Sequence, residues 1–171
     1  MIRLLKGLTL MVLCATAVSA QSSTKKPIEG AWKVIEIVVT GDNASNISTP
    51  QPGLILFTQK HYSAMWVPGN QPRSLFKGES PTDQEKIAAY DSFVANSGTY
   101  ELAGTTLTFH PMVARSPNFM SGGVSKFVVR IEGTTLWLTQ KNTDLSLRTG
   151  DRVAPSSGPA SETRIKLSRV E

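Results

Sequence analysis

Residues 30–40, Gly30-Ala31-Trp32-Lys33-Val34-Ile35-Glu36-Ile37-Val38-Val39-Thr40, decide the fold class. The run from Trp32 to Thr40 is rich in β-branched residues, which fit a pleated, half-buried surface, and it predicts a strand over 32–40. Working outward, residues 53–59 and 61–67 read as a hairpin turning near Gln59-Lys60-His61. Residues 99–102 and 105–110 make another around Ala103-Gly104, and 126–131 with 135–140 a third around Glu132-Gly133. Residues 162–170 form a closing strand. With hairpin spacing throughout and no alternation of strands with helices, about eight antiparallel strands are expected.

One helix interrupts this pattern. Thr82-Asp83-Gln84-Glu85 fits a capping box, with Ile87, Tyr90 and Val94 following at helical spacing and Asn96-Ser97-Gly98 as the stop. About four turns are expected, packed on the sheet by the aromatic stripe. Residues 42–52 and 142–160 read as polar loops. No repeat or interdomain linker appears, so the chain divides into 1–20, a leader 21–27 and one domain over 28–171.

The first twenty residues read as a secretory signal peptide. Arg3 and Lys6 precede an apolar run over 8–18, and Val18-Ser19-Ala20 offers a cleavage site. The run is shorter than the roughly 20 apolar residues a membrane-spanning helix needs, so export without a stable membrane anchor is expected, to a bacterial periplasm or the outside. Losing Arg3 and Lys6 lowers the net charge from +5 to +3 over the remaining 151 residues. That excess is dispersed, with no basic cluster interleaved with aromatics, which speaks against nucleic acid as a partner. Cys14 is the single cysteine, so a disulfide scaffold is excluded. Asn43-Ala44-Ser45 and Asn46-Ile47-Ser48 are glycosylation sequons in a loop whose composition explains them.

Catalytic and metal motifs are scarce. No thiol follows Cys14, and there is no His-x-x-x-His, no cluster of carboxylates, no Gly-x-Ser-x-Gly turn and no glycine-rich phosphate cradle, so neither metal nor cofactor is expected. His61 falls in the predicted turn. His110 ends a strand before Pro111, where a polar group at a rim meets a ligand or serves as a base. Alternation with Leu107 and Phe109 instead turns it outward. Tyr62, Ala64 and Trp66 share one strand face, and Tyr100 and Leu102 another. Arg130 either anchors a ligand or is an outward charge. Eight strands close into a barrel or stack as a sandwich, and periodicity alone leaves both open.

Gly30-Ala31-Trp32 resembles the Gly-x-Trp signature that opens lipocalin barrels, and the last strand offers an arginine, Arg169 or Arg164, to lie across the tryptophan. The chain is also similar over residues 28–170 to the bacterial lipocalin-like domain family. The matching stretches are GAWKV, GLILFTQKHYSAMW, AAYDSFVANSGTYEL, TLTFHPMVARSPNFMSG and the final LSRV, which favours Arg169. Departures are His61, where the family usually has glycine, and a longer 142–160 segment. The resemblance implies a single antiparallel barrel with one short helix, closed at one end by Gly30, Trp32 and Arg169. It also implies a small hydrophobic or amphipathic ligand, with Tyr62, Trp66, Tyr100, His110 and Arg130 as candidate contacts. The alternatives are a small-barrel enzyme of isomerase or cyclase type using His110, and a solid barrel acting through its surface.

Overall fold

The computed structural model describes residues 26–42 and 44–170. The expected signal peptide, residues 21–25 of the expected leader, the sequon asparagine Asn43 and Glu171 lie outside the described residues.

The strands are β1 (Gly30–Gly41), β2 (Ser45–Ile47), β3 (Gly53–Phe57), β4 (His61–Trp66), β5 (Val94–Ala103), β6 (Thr106–Ala114), β7 (Val124–Glu132), β8 (Thr135–Lys141), β9 (Leu145–Thr149), β10 (Arg152–Pro155) and β11 (Ser161–Arg169). Two helices, α1 (Asp83–Asp91) and α2 (Pro117–Met120), lie in the connections after β4 and β6. Pairing runs β7-β6-β5-β4-β3-β1-β11-β8, and β8 returns to β7 through Val129↔Leu138 and Arg130↔Trp137. Every one of these eight strands has two antiparallel neighbours. The sheet is a closed barrel, which removes both hydrogen-bonding edges and rules out the sandwich.

Alternation sets what faces inward. On β3, Gly53, Ile55 and Phe57 are buried while Leu54 and Leu56 look out. On β8, Leu136 and Leu138 are inside and Trp137 outside. Register shifts between Val34 and Glu36 on β1 and between Ser97 and Gly98 on β5 keep the inward set facing in as the walls curve.

One end is plugged. Trp32 is wholly buried, its indole N–H donating to the Ile28 carbonyl at 2.7 Å. The Arg169 guanidinium lies 4.1 Å from the indole centroid and donates to the Glu29 carbonyl at 2.6 Å and to the Pro27 carbonyl. Arg164 sits opposite Val38, exposed on the wall and far along the strand from Trp32. Gly30 has φ +132°, a conformation open to glycine and strained for any side chain, and it lets the leader fold under the barrel.

Directly above this plug the barrel is filled by side chains. Tyr62 stacks on Phe109 with centroids 3.7 Å apart, Phe57 meets Tyr100 edge-on at 5.3 Å, and Phe109 leans on Phe127 at 5.2 Å. These aromatics fill the lower half and form a floor for what lies above.

Four expectations are corrected. The helix ends at Asp91 rather than near Asn96, because β5 starts at Val94 and its ladder with β4 and β6 captures that segment. The helical stripe does not pack on the sheet. Ile87 and Tyr90 are about half exposed and α1 buries no residue, although the capping box at Thr82 and Glu85 is formed. Amides of Thr82 and Lys77 donating to Glu85 hold its carboxyl below the usual range. The 142–160 segment is a 3-10 turn (Asn142–Asp144) followed by the hairpin β9–β10, which docks on the start of β7 through Val124↔Ser146 and Ser125↔Leu145. His61 is the first residue of β4, and the turn before it is Thr58-Gln59-Lys60.

Candidate functional site

The upper half of the barrel holds a cavity of about 320 Å³. Its lower wall is Ile55 of β3, Phe109 of β6, Phe127 of β7, Leu138 of β8 and Ile165 of β11, all buried. Its mouth is built by Trp66 at the end of β4, Val94 at the start of β5, Phe119 of α2, and Leu145 and Leu147 of β9. Alternation puts the last two side chains on one face of β9, turned over the opening. The mouth lies at the end opposite the Trp32 plug.

Four polar residues join this lining: Asn96, Arg115, Ser116 and Ser125. Asn96 is nine-tenths buried and its Oδ1 has no hydrogen-bond partner. A buried amide left unpaired costs about 1–3 kcal/mol, so on a cavity wall this oxygen is an acceptor open to whatever fills the space, water or ligand. Buried Ser125 accepts from Gln140 Nε2, leaving its own hydroxyl proton to donate. Arg115 is half buried at the rim. Its backbone N–H donates to Ala95 at 2.8 Å, and its guanidinium stacks 4.4 Å from the Tyr90 ring and donates to the Tyr90 carbonyl.

Of the five residues anticipated as ligand contacts, Trp66 lines the cavity. Tyr62 and Tyr100 belong to the packed floor instead. The Tyr100 hydroxyl donates to the Thr58 carbonyl at 2.7 Å, and burial, with the Glu29 charge, pushes its phenol up. Burial pushes the Tyr62 phenol far up, and its hydroxyl has no partner. Tyr62→Phe is therefore expected to leave ligand binding unchanged and to keep or raise stability by up to about 1 kcal/mol, measured by urea unfolding. His110 is on the outer wall, its Nε2 3.8 Å from Glu101 Oε1. Arg130 is outside as well, stacked 3.8 Å from the Trp137 ring and bonded to Glu132 at 2.7 Å. Neither borders the cavity.

Asn96, Arg115, Phe119, Ser125, Leu145 and Leu147 line the cavity without a motif in the sequence that marks them. Asn96 was legible in principle: it is two and four residues from Gly98 and Tyr100, on the same inward parity. Leu145 and Leu147 also alternate, inside a segment whose polar composition hid a strand.

The lipocalin-like domain model matches residues 29–157 of the chain, from the plug to the end of the β9–β10 hairpin. The chain belongs to the lipocalin-like domain family. Among solved structures, a lipocalin-like protein from Bacteroides uniformis ATCC 8492 is 11% identical with a TM-score of 0.41, covering 84% of this chain and 99% of that one. No curated protein matches. In this lipocalin-like domain the family match reaches all four polar residues of the cavity. Among the described residues, no helix is long and apolar enough to cross a membrane, and no three His, Cys, Asp or Glu side chains are grouped to hold a metal.

Proposed function

We propose that this protein is an exported binding module that takes a small hydrophobic or amphipathic molecule into the upper half of its barrel. The observation that carries the reading is the apolar cavity of about 320 Å³ above a packed aromatic floor. That volume falls at the lower end of the roughly 300–1,000 Å³ of small-molecule sites, and the few polar groups among apolar walls match their make-up. The enzyme reading needs an acid–base group at the cavity, and His110 lies on the outer wall beside Glu101. A barrel acting through its surface alone needs no interior space.

Native mass spectrometry of protein purified from the exporting cell without detergent tests the proposal. A reproducible added mass of a small organic molecule is expected. The neutral dye N-phenyl-1-naphthylamine should brighten on binding, and Leu145→Trp, which places an indole across the mouth, should weaken it roughly tenfold or more. Bare protein that also leaves the dye dark overturns the reading.

A further inference from the structure

We infer that the ligand is an anionic amphiphile whose carboxylate sits at Arg115 in the mouth, with its apolar body running down to Phe109 and Phe127. This rests on the binding reading above and names the chemistry of its ligand.

Among the described residues, Arg115 is the one charged residue in the cavity lining, and no carboxylate lines it. Among the described residues, no acid lies within ion-pair distance of its guanidinium. A half-buried cation at the rim of the cavity without a counter-charge favours an anion from outside, since charges removed from water are retained when paired. The group is also held ready. Stacking on Tyr90, the bond to the Tyr90 carbonyl and the reciprocal bond from Tyr90 Oη to the Arg115 carbonyl at 3.2 Å restrict its rotamers before a ligand arrives. Little side-chain entropy is left to lose on binding. Only Nη1 is engaged by Tyr90, so Nε and Nη2 remain to donate, the fork that matches a carboxylate.

The neighbouring polar groups lie close along the chain or across the β5–β6 ladder. Asn96 pairs with Ala114, the residue before Arg115, and the Arg115 amide bonds to Ala95, the residue before Asn96. Asn96 thus lies across the ladder from the neighbour of Arg115, facing inward with Ala114, and its unpartnered Oδ1 is an acceptor that suits a hydroxyl or water below the head group, not the carboxylate itself. The Ser116 hydroxyl makes no capping bond to α2 and adds a further donor at the rim. Below this cluster, Ile55, Phe109, Phe127 and Leu138 offer only apolar surface. A molecule polar at one end fits this division. A cationic amphiphile would set its charge against Arg115.

Displacement of N-phenyl-1-naphthylamine by three ten-carbon competitors tests the inference: decanoate, decanol and decylamine. Wild-type protein should bind decanoate roughly tenfold or more tighter than decanol, the contribution of a charge-assisted hydrogen bond, and decylamine most weakly. The decanoate preference should shrink with added salt. In Arg115→Gln it should disappear while the dye and decanol bind as before, which also reports an intact cavity. If the variant does not fold, the wild-type order decides alone. Dye binding with decanol equal to decanoate overturns the anionic head and leaves the cavity reading standing. Failure of the dye and of all three competitors overturns both.

Discussion

Replacing Trp32 by alanine is expected to lower the unfolding free energy by about 3–5 kcal/mol, the range for removing a buried aromatic side chain. Trp32 is wholly buried at the plug, so the lost indole leaves a void between Ile28 and the barrel floor. Two further contacts go with it. The Ile28 carbonyl loses its donor, and the Arg169 guanidinium loses the ring beneath it. Trp32→Phe restores most of the packing but not the indole N–H, and should recover part of the loss. Urea unfolding of both variants measures this, with dye binding near 4 °C as the second readout. Because the cavity opens at the opposite end, the fraction that remains folded should bind with wild-type affinity. A Trp32→Ala protein as stable as the parent would remove the plug from the account of stability.

Gly98→Ala is expected to cost about 1–3 kcal/mol or more, as overpacking does when the obstacle cannot move aside. A Cβ at this position would stand 2.0 Å from the His110 carbonyl oxygen and 2.8 Å from Met112 N and Pro111 Cα, all on β6. These are backbone or ring-bound atoms, so relief requires parting the β5–β6 ladder at its irregularity. That ladder also carries Asn96 and Arg115, so dye affinity should fall along with stability. Gly78→Ala, where an added Cβ meets nothing within 4 Å, should stay within about 0.5 kcal/mol of the parent. Comparing thermal midpoints of the two variants separates the effect of close approach from that of losing a glycine.

Much of the architecture was legible because period-2 patterning is local and strong. Trp32 and Val34, Leu107 and Phe109, and Leu136 and Leu138 each announce an inward face, and glycines at 104 and 133, with φ near +60°, mark the tight turns between strands. Barrel closure was not written in any one strand. It depends on β1 pairing with β11, which sets Trp32 opposite Arg169 across nearly the whole described chain, a long-range event that alternation does not encode. The helix was overread because Ile87, Tyr90 and Val94 do fall at helical spacing. Val94 also begins a strand, and ladder hydrogen bonds to β4 and β6 outweigh one more helical turn.

The site was less legible than the fold. Aromatic residues on strand faces suggested lining, yet a closed barrel has a filled half and an open half, and Tyr62 and Tyr100 fell in the filled one. Arg115 lies past Pro111, where strand β6 had been expected to end, and only its bond to Ala95 carries it to the rim. The arginines that drew notice, Arg130 and Arg164, are outside because their strands' inward parity is held by Val129 and Ile165.

The plug also brings the two ends of the described chain together. Lys26 Nζ donates to the Gln59 carbonyl at 2.9 Å, and the Val170 amide donates to the Ala31 carbonyl at 2.8 Å, both on the side away from the opening. A fusion partner or a solid support attached at either end thus leaves the opening turned toward solution. Joining residues 26 and 170 with a short linker and cutting within the exposed 70–80 segment would yield a circular permutant that keeps the ladder continuous and places its new termini beside the entrance.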